Sequence, residues 1–212
     1  IGWRSVMKKT VQTAAVSHVS ALQRESLLQQ RGCVVWLTGL SGSGKSTLAA
    51  ALEEYLVRHG YLAFMLDGDR VRAGLNRDLG FSRKDRRENI RRVAEVAALF
   101  ADAGVICITA FISPFRADRS KARRIVGTRR FLEVHANADL AICEQRDVKK
   151  LYRKARAGAL PDFTGVSQPY EEPLKPALRV DTGRQSVRSC MGEIVAILRN
   201  RGMLLGNRRA LK

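Results

Sequence analysis

One stretch of this chain has the residue types and spacing that bind the phosphates of a nucleotide. It runs Gly39-Leu40-Ser41-Gly42-Ser43-Gly44-Lys45-Ser46-Thr47 and fits the pattern G-x-x-x-x-G-K-[ST]. Because glycine has no Cβ atom, the backbone can wrap closely around an anion and point its N–H groups inward. Lys45 adds a positive charge for the β- and γ-phosphates, and the Ser46 hydroxyl is suited to bind Mg²⁺. The stretch predicts binding of a nucleoside triphosphate without indicating what is done with it.

The segments on either side of this phosphate loop (residues 39–47) agree with that interpretation. Residues 33–38 form a short apolar and β-branched run typical of a buried strand. Residues 48–59 are rich in helix formers and end at Gly60. The motif needs this order of strand, loop and helix, since a helix N-terminus favours an anion. The alternative is a chance glycine-rich turn, which the two flanks disfavour.

Polar residues also follow two further predicted strands, residues 61–66 and 105–111. The first strand ends in Asp67-Gly68-Asp69 and the second in Ile112-Ser113-Pro114. Ligands of open α/β sheets bind beyond the carboxyl ends of the strands, so we expect these residues to converge with the phosphate loop. Asp67 is suited to hold Mg²⁺ through water and to accept a proton from an attacking hydroxyl. The alternative is an ordinary turn aspartate before glycine.

Three cationic side chains are candidates for holding a second anionic substrate: Arg72, Arg86 and Lys149. Arg86 and Asn89 lie three residues apart and share one face of a predicted helix that Ser82 opens and Asp85 helps to cap. The alternative for each single arginine is a solvated surface position.

The remaining sequence alternates between strand and helix patterns. Helices are predicted from Ser82 to about Gly104, between residues 116 and 130, mainly over 140–154, and over 186–199, with a fourth strand at 130–134 and a loop at 158–176. This alternation predicts an α/β fold, a three-layer sandwich with a mainly parallel central sheet. We expect residues 1–30 to be an N-terminal extension, 31–203 to be the phosphate-binding domain, and 204–212 to be a basic tail.

Composition excludes several classes of protein. The 212 residues are 45% hydrophobic, which indicates a folded domain, and no apolar run is long enough to span a membrane. The net charge of +18 suits contact with polyanions, but no nucleic-acid recognition motif is present, so we favour a basic surface around a highly anionic small molecule. The four cysteines form no C-x-x-C pair, which predicts reduced thiols and a cytoplasmic location.

From residue 31 to about residue 183 the chain resembles adenylylsulfate kinase (APS kinase). The phosphate loop is one shared motif. The others are Leu66-Asp67-Gly68-Asp69, Val71-Arg72, the run from Gly74 to Ser82, Asp85-Arg86, Glu88-Asn89-Ile90-Arg91-Arg92, Phe111-Ile112-Ser113-Pro114, Cys143-Glu144, Arg146-Asp147, Leu151-Tyr152, Lys154-Ala155-Arg156-Ala157-Gly158 and Phe163-Thr164-Gly165.

The resemblance implies a P-loop kinase fold and Mg²⁺-dependent transfer of the γ-phosphoryl group of ATP to the 3′-hydroxyl of adenosine 5′-phosphosulfate (APS). It implies catalytic roles for Asp67, Lys45 and Ser113, with metal binding by Ser46 and Asp67. The implied ATP-binding residues are Gly39, Gly42, Ser43, Gly44, Lys45, Ser46, Thr47, Arg146 and Arg156. The implied APS-binding residues are Asp69, Arg72, Phe81, Arg86, Asn89, Ile112, Ser113, Lys149 and Phe163.

Phe81 and Phe163 are suited to sandwich an adenine, and the three cations to hold the phosphosulfate. The family's phosphoserine falls at Ser113, where we favour direct in-line transfer with Ser113 as a positioning group, because Asp67 already supplies a base. Residues 153–165 resemble a lid over ATP. The family is commonly dimeric, so we expect a homodimer, and attachment to an ATP sulfurylase stays an open alternative.

Three residues depart from the family pattern: Arg70 replaces the usual Asn, Ala73 the usual His, and Lys150 the usual Gly. They are expected to alter affinity or substrate inhibition rather than abolish activity. Two other hypotheses stay open. One is a module that binds both nucleotides without turnover, and the other is a P-loop kinase for a different small hydroxyl substrate.

Overall fold

The strand predicted ahead of the phosphate loop lies at the centre of a five-stranded sheet in the computed structural model, which describes residues 17–206. The strands are β1 (Cys33–Thr38), β2 (Ala63–Asp67), β3 (Ile106–Ala110), β4 (Phe131–Asn137) and β5 (Leu178–Asp181). Their spatial order is β2-β3-β1-β4-β5, and every neighbouring pair is parallel. All of these strands therefore present their carboxyl ends at one edge, where the phosphate loop begins.

Helices connect the strands and cover both faces of the sheet. In chain order they are α1 (Ala21–Leu28), α2 (Lys45–Arg58), α3 (Gly68–Ala73), α4 (Arg83–Asp102), α5 (Arg116–Val126), α6 (Leu140–Arg146), α7 (Leu151–Arg156) and α8 (Val187–Asn200). The predicted α/β sandwich is confirmed, and its sheet is parallel throughout.

The hydrophobic core consists of two layers because side chains alternate along β1, which is buried over its whole length. Val35 and Leu37 pack in one cluster with apolar residues of α2 and α8. Val34 and Trp36 point to the other face and pack with residues of α4 and α5. The sheet is thus held between two helical layers and forms a rigid platform for the loops at its carboxyl edge.

Three elements differ from the prediction. The helix predicted over 140–154 is interrupted between α6 and α7, where Asp147 has φ 11° and Lys150 has φ 55°, so the chain turns sharply. The Asp147 carboxylate accepts hydrogen bonds from the N–H groups of Tyr152 and Arg153, each at 3.0 Å, which satisfies the first turn of α7. Short α3 and the four-residue edge strand β5 carry too little periodicity to be recognised from sequence.

A weak apolar stripe in the sequence, formed by Val16, Val19, Leu22, Leu27 and Leu28, predicts a helix over residues 12–30. This helix corresponds in part to α1, and residues 12–16 lie outside the described residues. Ser20 caps α1 with a complete capping box that involves Gln23. Past α1, the buried Gln30 side chain donates to the carbonyl oxygens of Leu62 at 2.9 Å and Gly104 at 2.8 Å. Gln30 also forms an antiparallel bridge with Leu204, so the segments that follow α1 and α8 meet at the amino edge of the sheet.

Within residues 17–206, no helix is both long and apolar enough to cross a membrane. The four cysteines are all buried and unpaired. Burial raises the pKa of the Cys33 and Cys107 thiols to about 12, so these two side chains behave as small apolar residues.

Candidate functional site

A cleft of about 810 Å³ opens at the carboxyl edge of the sheet. It is lined by most of the residues that the sequence singled out: Gly42, Gly44, Lys45, Ser46, Thr47, Asp67, Asp69, Arg72, Phe81, Arg86, Ile112, Arg146, Lys149 and Phe163. Five other predicted residues are not part of that lining: Gly39, Ser43, Asn89, Ser113 and Arg156. The strand ends predicted to converge do so.

The backbone of the phosphate loop favours glycine at Gly42 and Gly44, which both have a positive φ. Gly42 has φ 76°, and a Cβ atom there would lie 2.7 Å from the carbonyl oxygen of Cys143. Gly44 has φ 82° and precedes the first residue of α2, where no side chain of the described residues caps the helix. The N–H groups of the first turn of α2 consequently face the cleft mouth and are suited to an anion.

Lys45 is buried and folded back on its own loop. Its Nζ donates to the carbonyl oxygens of Gly39 at 2.9 Å and Leu40 at 2.6 Å. The pKa of Lys45 is lowered to about 8, chiefly by burial and to a smaller extent by the nearby positive charge of Lys149. The ammonium group thus uses backbone carbonyls as acceptors in place of phosphate oxygens, and an incoming phosphate would raise its pKa.

Ser46 and Asp67 join the phosphate loop to the end of β2. The Ser46 hydroxyl donates to Asp67 Oδ2 at 2.8 Å. The other carboxylate oxygen, Oδ1, accepts the N–H of Asp69 at 3.0 Å and so caps α3. A hydroxyl and a carboxylate are hard oxygen donors, and Mg²⁺ binds through one or two such protein groups while water and phosphate oxygens complete its coordination. The pair fits Mg²⁺.

Two of the predicted APS ligands bind each other across the cleft. Lys149 lies in the turn between α6 and α7, and its ammonium group forms an ion pair with the Asp69 carboxylate on α3. Both side chains are more than half exposed, at 58% and 73%. The turn that carries Lys149 thus closes one side of the cleft mouth.

At the far end of the cleft, two arginines surround an exposed aromatic ring. Phe81 is 59% exposed, and the guanidinium carbons of Arg72 and Arg86 lie 4.4 and 5.9 Å from its ring centroid. Arg72 also donates to the Gly80 carbonyl at 3.1 Å, which fixes the chain next to the ring. Two cations beside an accessible ring face can hold an anionic group that is attached to an aromatic base.

Phe163 lies on the opposite wall and is buried. Its ring packs edge-on against Tyr152 of α7, with centroids 5.1 Å apart. Arg86 ties this wall to α4, since it donates to the Asp162 carbonyl at 2.6 Å and to the Thr164 hydroxyl at 3.1 Å. Arg86 therefore links both aromatic walls of this end of the cleft.

A smaller cavity of about 110 Å³ adjoins this end and contains two predicted residues that the main cleft lacks, Asn89 and Ser113. Asn89 accepts a hydrogen bond from the buried Asn76 side chain at 2.9 Å. Ser113 is 2% exposed, and its hydroxyl oxygen accepts from Trp36 Nε1 at 3.1 Å and donates to Thr38 Oγ1 at 3.0 Å. The Ser113 hydroxyl is thus turned into the protein and held by the residues that precede the phosphate loop.

The two predicted ATP-binding arginines have different surroundings. Arg146 bridges the phosphate loop and the end of β5, because it donates to the Gly42 carbonyl at 3.3 Å and to the Thr182 carbonyl at 2.7 Å. Arg156 pairs with Glu144 at 2.6 Å and does not line the cleft.

Sequence reasoning missed one wall of the cleft, which is lined by Thr182, Gln185, Ser186, Val187 and Cys190. These residues follow β5 and begin α8. The available signal was the Asp-Thr-Gly run at 181–183, which follows a strand end like the other site segments.

The residues that depart from the family pattern are placed as follows. Arg70 lies over the Phe64 ring at 5.7 Å, and Ala73 is exposed; neither lines the cleft. Lys150 holds a left-handed conformation, φ 55° and ψ 27°, which explains why glycine suits this position.

Comparison with known proteins gives a consistent result. The family model described as "Adenylylsulphate kinase" matches residues 31–181. The chain is similar to the adenylyl-sulfate kinase of Prochlorococcus marinus, with 55% identity over 186 residues that cover 86% of this chain and 92% of the relative.

Among solved structures, the chain is similar to the APS kinase of Mycobacterium tuberculosis in complex with AMPPNP and APS. The TM-score is 0.78 and the identity 45%, over 80% of this chain and 99% of the other. A hexameric APS kinase from Thiobacillus denitrificans matches with a TM-score of 0.65 and 32% identity, over 86% of this chain and 32% of the other.

Proposed function

This chain belongs to the adenylylsulphate kinase family, and we propose that it transfers the γ-phosphoryl group of ATP to the 3′-hydroxyl of APS. The product is 3′-phosphoadenosine 5′-phosphosulfate. The observation that carries this assignment is the contact between Ser46 and Asp67, which puts a carboxylate at the phosphate loop inside a cleft whose far end is cationic and aromatic. Such a cleft has room for a triphosphate at one end and an anionic nucleotide at the other.

ATP occupies the end of the cleft formed by the phosphate loop and the start of α8. The N–H groups at the start of α2 bind the phosphates, and Lys45 leaves the carbonyls of Gly39 and Leu40 for the β- and γ-phosphates. Arg146 already bridges the loop and the end of β5, so its planar guanidinium is positioned beside the rest of the nucleotide.

Ser46 and Asp67 would hold Mg²⁺, since their oxygens are already 2.8 Å apart. Mg²⁺ with ATP neutralises charge on the β- and γ-phosphates. Asp67 keeps Oδ1 on the Asp69 N–H, which fixes the orientation of its carboxylate.

APS occupies the other end. Its adenine stacks between Phe81 and Phe163, and its phosphosulfate binds Arg72, Arg86 and Lys149. Asp69 is then released from Lys149 and is free to contact the sulfonucleotide.

The reaction is a direct in-line displacement. The 3′-oxygen of APS attacks the γ-phosphorus, the bond from that phosphorus to the β,γ-bridging oxygen breaks, and ADP leaves. Asp67 accepts the proton of the 3′-hydroxyl on a carboxylate oxygen. Ser113 stays hydrogen-bonded to Trp36 and Thr38 and acts as a positioning group, a role that its burial supports.

We further propose that the active unit is a homodimer. The family resemblance supports this state, because the family is commonly dimeric. Sedimentation of the purified chain at several concentrations tests it, and a mass of one chain or of six would contradict it.

The function is tested by ADP release in a coupled assay, with and without APS, on the wild type, Asp67→Ala and the matched control Asp102→Ala. Asp102 ends α4 near the amino edge of the sheet and pairs with Arg130. We expect APS-dependent release that falls by about a thousandfold or more in Asp67→Ala and stays near wild type in the control. If the wild type shows no APS-dependent release of ADP but binds both nucleotides tightly, the result would favour a binding module.

A further inference from the structure

Arg119 is a fully buried arginine that lies outside the cleft. It belongs to α5 and is 2% exposed, and each of its three guanidinium nitrogens donates one hydrogen bond. Nε donates to Glu133 Oε1 at 2.7 Å, Nη1 to the Ser113 carbonyl at 2.7 Å, and Nη2 to the Glu171 carbonyl at 2.6 Å. One side chain thus connects β4, the turn after β3 and the segment near residue 170.

Glu133 supplies the opposite charge that makes this burial tolerable. It lies on β4 opposite Trp36 of β1, and its second oxygen accepts from Arg123 Nη2 at 3.1 Å. Buried charges are tolerated when they are paired and hydrogen-bonded. Arg119 and Arg123 therefore share one carboxylate, but only Arg119 touches the turn after β3.

That turn is strained at Ser113, which has φ 40°, a left-handed conformation that is uncommon for residues other than glycine. Arg119 holds the carbonyl of Ser113, while Trp36 and Thr38 hold its hydroxyl. Strain of this kind persists only where the surrounding contacts over-determine the conformation. The cluster around Arg119 supplies those contacts.

We infer that Arg119 is a positioning residue for APS, because it fixes the turn that presents Ile112 to the substrate. Ile112 lines both the main cleft and the adjoining small cavity. Its carbonyl accepts the Thr38 hydroxyl at 2.7 Å, and Thr38 also bonds the Tyr170 hydroxyl at 3.0 Å. The Arg119 guanidinium lies 5.8 Å from the Tyr170 ring, so it supports the turn from both sides.

Loss of the Arg119 contacts should weaken the binding of APS more than the binding of ATP. The small cavity is lined by Arg72, Phe81, Arg86, Asn89 and neighbours of Ser113, and by no residue of the phosphate loop. A displacement of Ile112 alters this end of the cleft first, whereas the loop keeps its own glycine conformations and the hydrogen bonds of β1. The inference rests on the proposed use of this end by APS.

The test compares Arg119→Lys with Arg123→Lys. Lysine keeps the charge in both variants but cannot reproduce the fork that reaches Ser113 and Glu171 together. We expect the KM and dissociation constant for APS to rise roughly tenfold or more in Arg119→Lys, with those for ATP changed less than about twofold. Arg123→Lys, which affects the bond to Glu133 and the contact with the Phe131 ring but no atom of the turn after β3, is expected to leave the constants for both substrates within about twofold of wild type.

Dissociation constants are measured by titration calorimetry alongside the kinetics, so the inference is tested even if the wild type shows no turnover, a result that would reject the proposed function alone. Equal losses for ATP and APS in Arg119→Lys, or no loss, would overturn the inference. If Arg119→Lys unfolds, Tyr170→Phe decides the question, because it removes only the Tyr170 hydroxyl that hydrogen-bonds to Thr38. It is expected to weaken APS binding selectively by about threefold, and an unchanged affinity for APS would then overturn the inference.

Discussion

Lys149 and Asp69 form an ion pair that spans the mouth of the cleft and joins the turn after α6 to α3. Both residues are also proposed ligands of APS. The same two side chains therefore pair with each other in this structure, and the proposed binding of APS would break that contact.

Breaking this ion pair should lower the activity towards APS while leaving the stability of the fold almost unchanged. Lys149→Ala is expected to change the free energy of unfolding by less than about 0.5 kcal/mol, because exposed ion pairs contribute little. It should reduce kcat/KM for APS at least about tenfold, since one cation of the anion site is lost. Urea unfolding and steady-state kinetics measure the two effects. Arg58→Ala, which breaks the exposed Arg58–Glu54 pair on α2, is the control and should leave activity unchanged.

Ser46→Ala tests the proposed metal site. Loss of the hydroxyl next to Asp67 should raise the Mg²⁺ concentration for half-maximal activity by about tenfold at fixed ATP. Ser41→Ala is the matched control, since Ser41 also lines the cleft but has no contact with Asp67 among the described hydrogen bonds. Identical Mg²⁺ dependence of Ser46→Ala and the wild type would contradict the assignment.

ATP binding should take up a proton near pH 8. The pKa of Lys45 is lowered to about 8, chiefly by burial, and a bound triphosphate should raise it again. Below pH 8 the lysine is charged in both states, whereas above pH 8 binding must recharge it, so affinity for ATP should fall as pH rises from 8. Calorimetry in buffers with different ionisation enthalpies measures the uptake. Lys45→Arg stays charged and should lose this pH dependence, and its persistence would assign the proton to another group.

Lys150→Gly should stabilise the fold. The left-handed conformation of Lys150 costs about 1–2 kcal/mol for a residue with a side chain, and the extra freedom of glycine in the unfolded chain offsets part of that. We expect a net gain of about 0.5–1 kcal/mol in urea unfolding. Lys154→Gly, inside α7, should instead destabilise by about 1 kcal/mol. A loss of stability in both variants would mean that Lys150 is not strained.

Two glycines should respond oppositely to alanine. Gly42→Ala puts a methyl group 2.7 Å from the Cys143 carbonyl at φ 76°, so it should abolish ATP binding and lower stability by more than about 2 kcal/mol. Gly192→Ala lies in α8 with nothing within 4 Å of the new methyl group, and should stabilise by up to about 1 kcal/mol. Calorimetric ATP titration and thermal unfolding distinguish the two, and similar behaviour of both variants would contradict the geometry.

The central part of the fold could be predicted because its signals are local. The run at 33–38 is apolar on both faces, as a strand between two helical layers must be, and the glycines of the phosphate loop follow it directly. The convergence of Asp67 with the phosphate loop followed from the rule that parallel strands end at one edge, whereas its hydrogen bond with Ser46 is seen only in the structure.

Other features depend on contacts between distant residues and left no local pattern. The break at Asp147 is stabilised by a carboxylate that caps the next helix, within a stretch otherwise made of helix formers. The inward orientation of Ser113 depends on Trp36 and Thr38, which are more than seventy residues earlier in the chain. Arg119 resembled any surface arginine in sequence, and only the folded chain brings Glu133 to it.

The antiparallel bridge between Gln30 and Leu204 has a consequence for protein engineering. Both residues lie at the amino edge of the sheet, whereas the cleft opens at the carboxyl edge. A fluorescent protein, a surface anchor or a second enzyme fused next to either residue would therefore lie on the side of the sheet opposite the cleft. It would not block the mouth of the cleft. The same adjacency lets a short linker join residue 30 to residue 204, so that new chain ends can be opened in an exposed loop elsewhere.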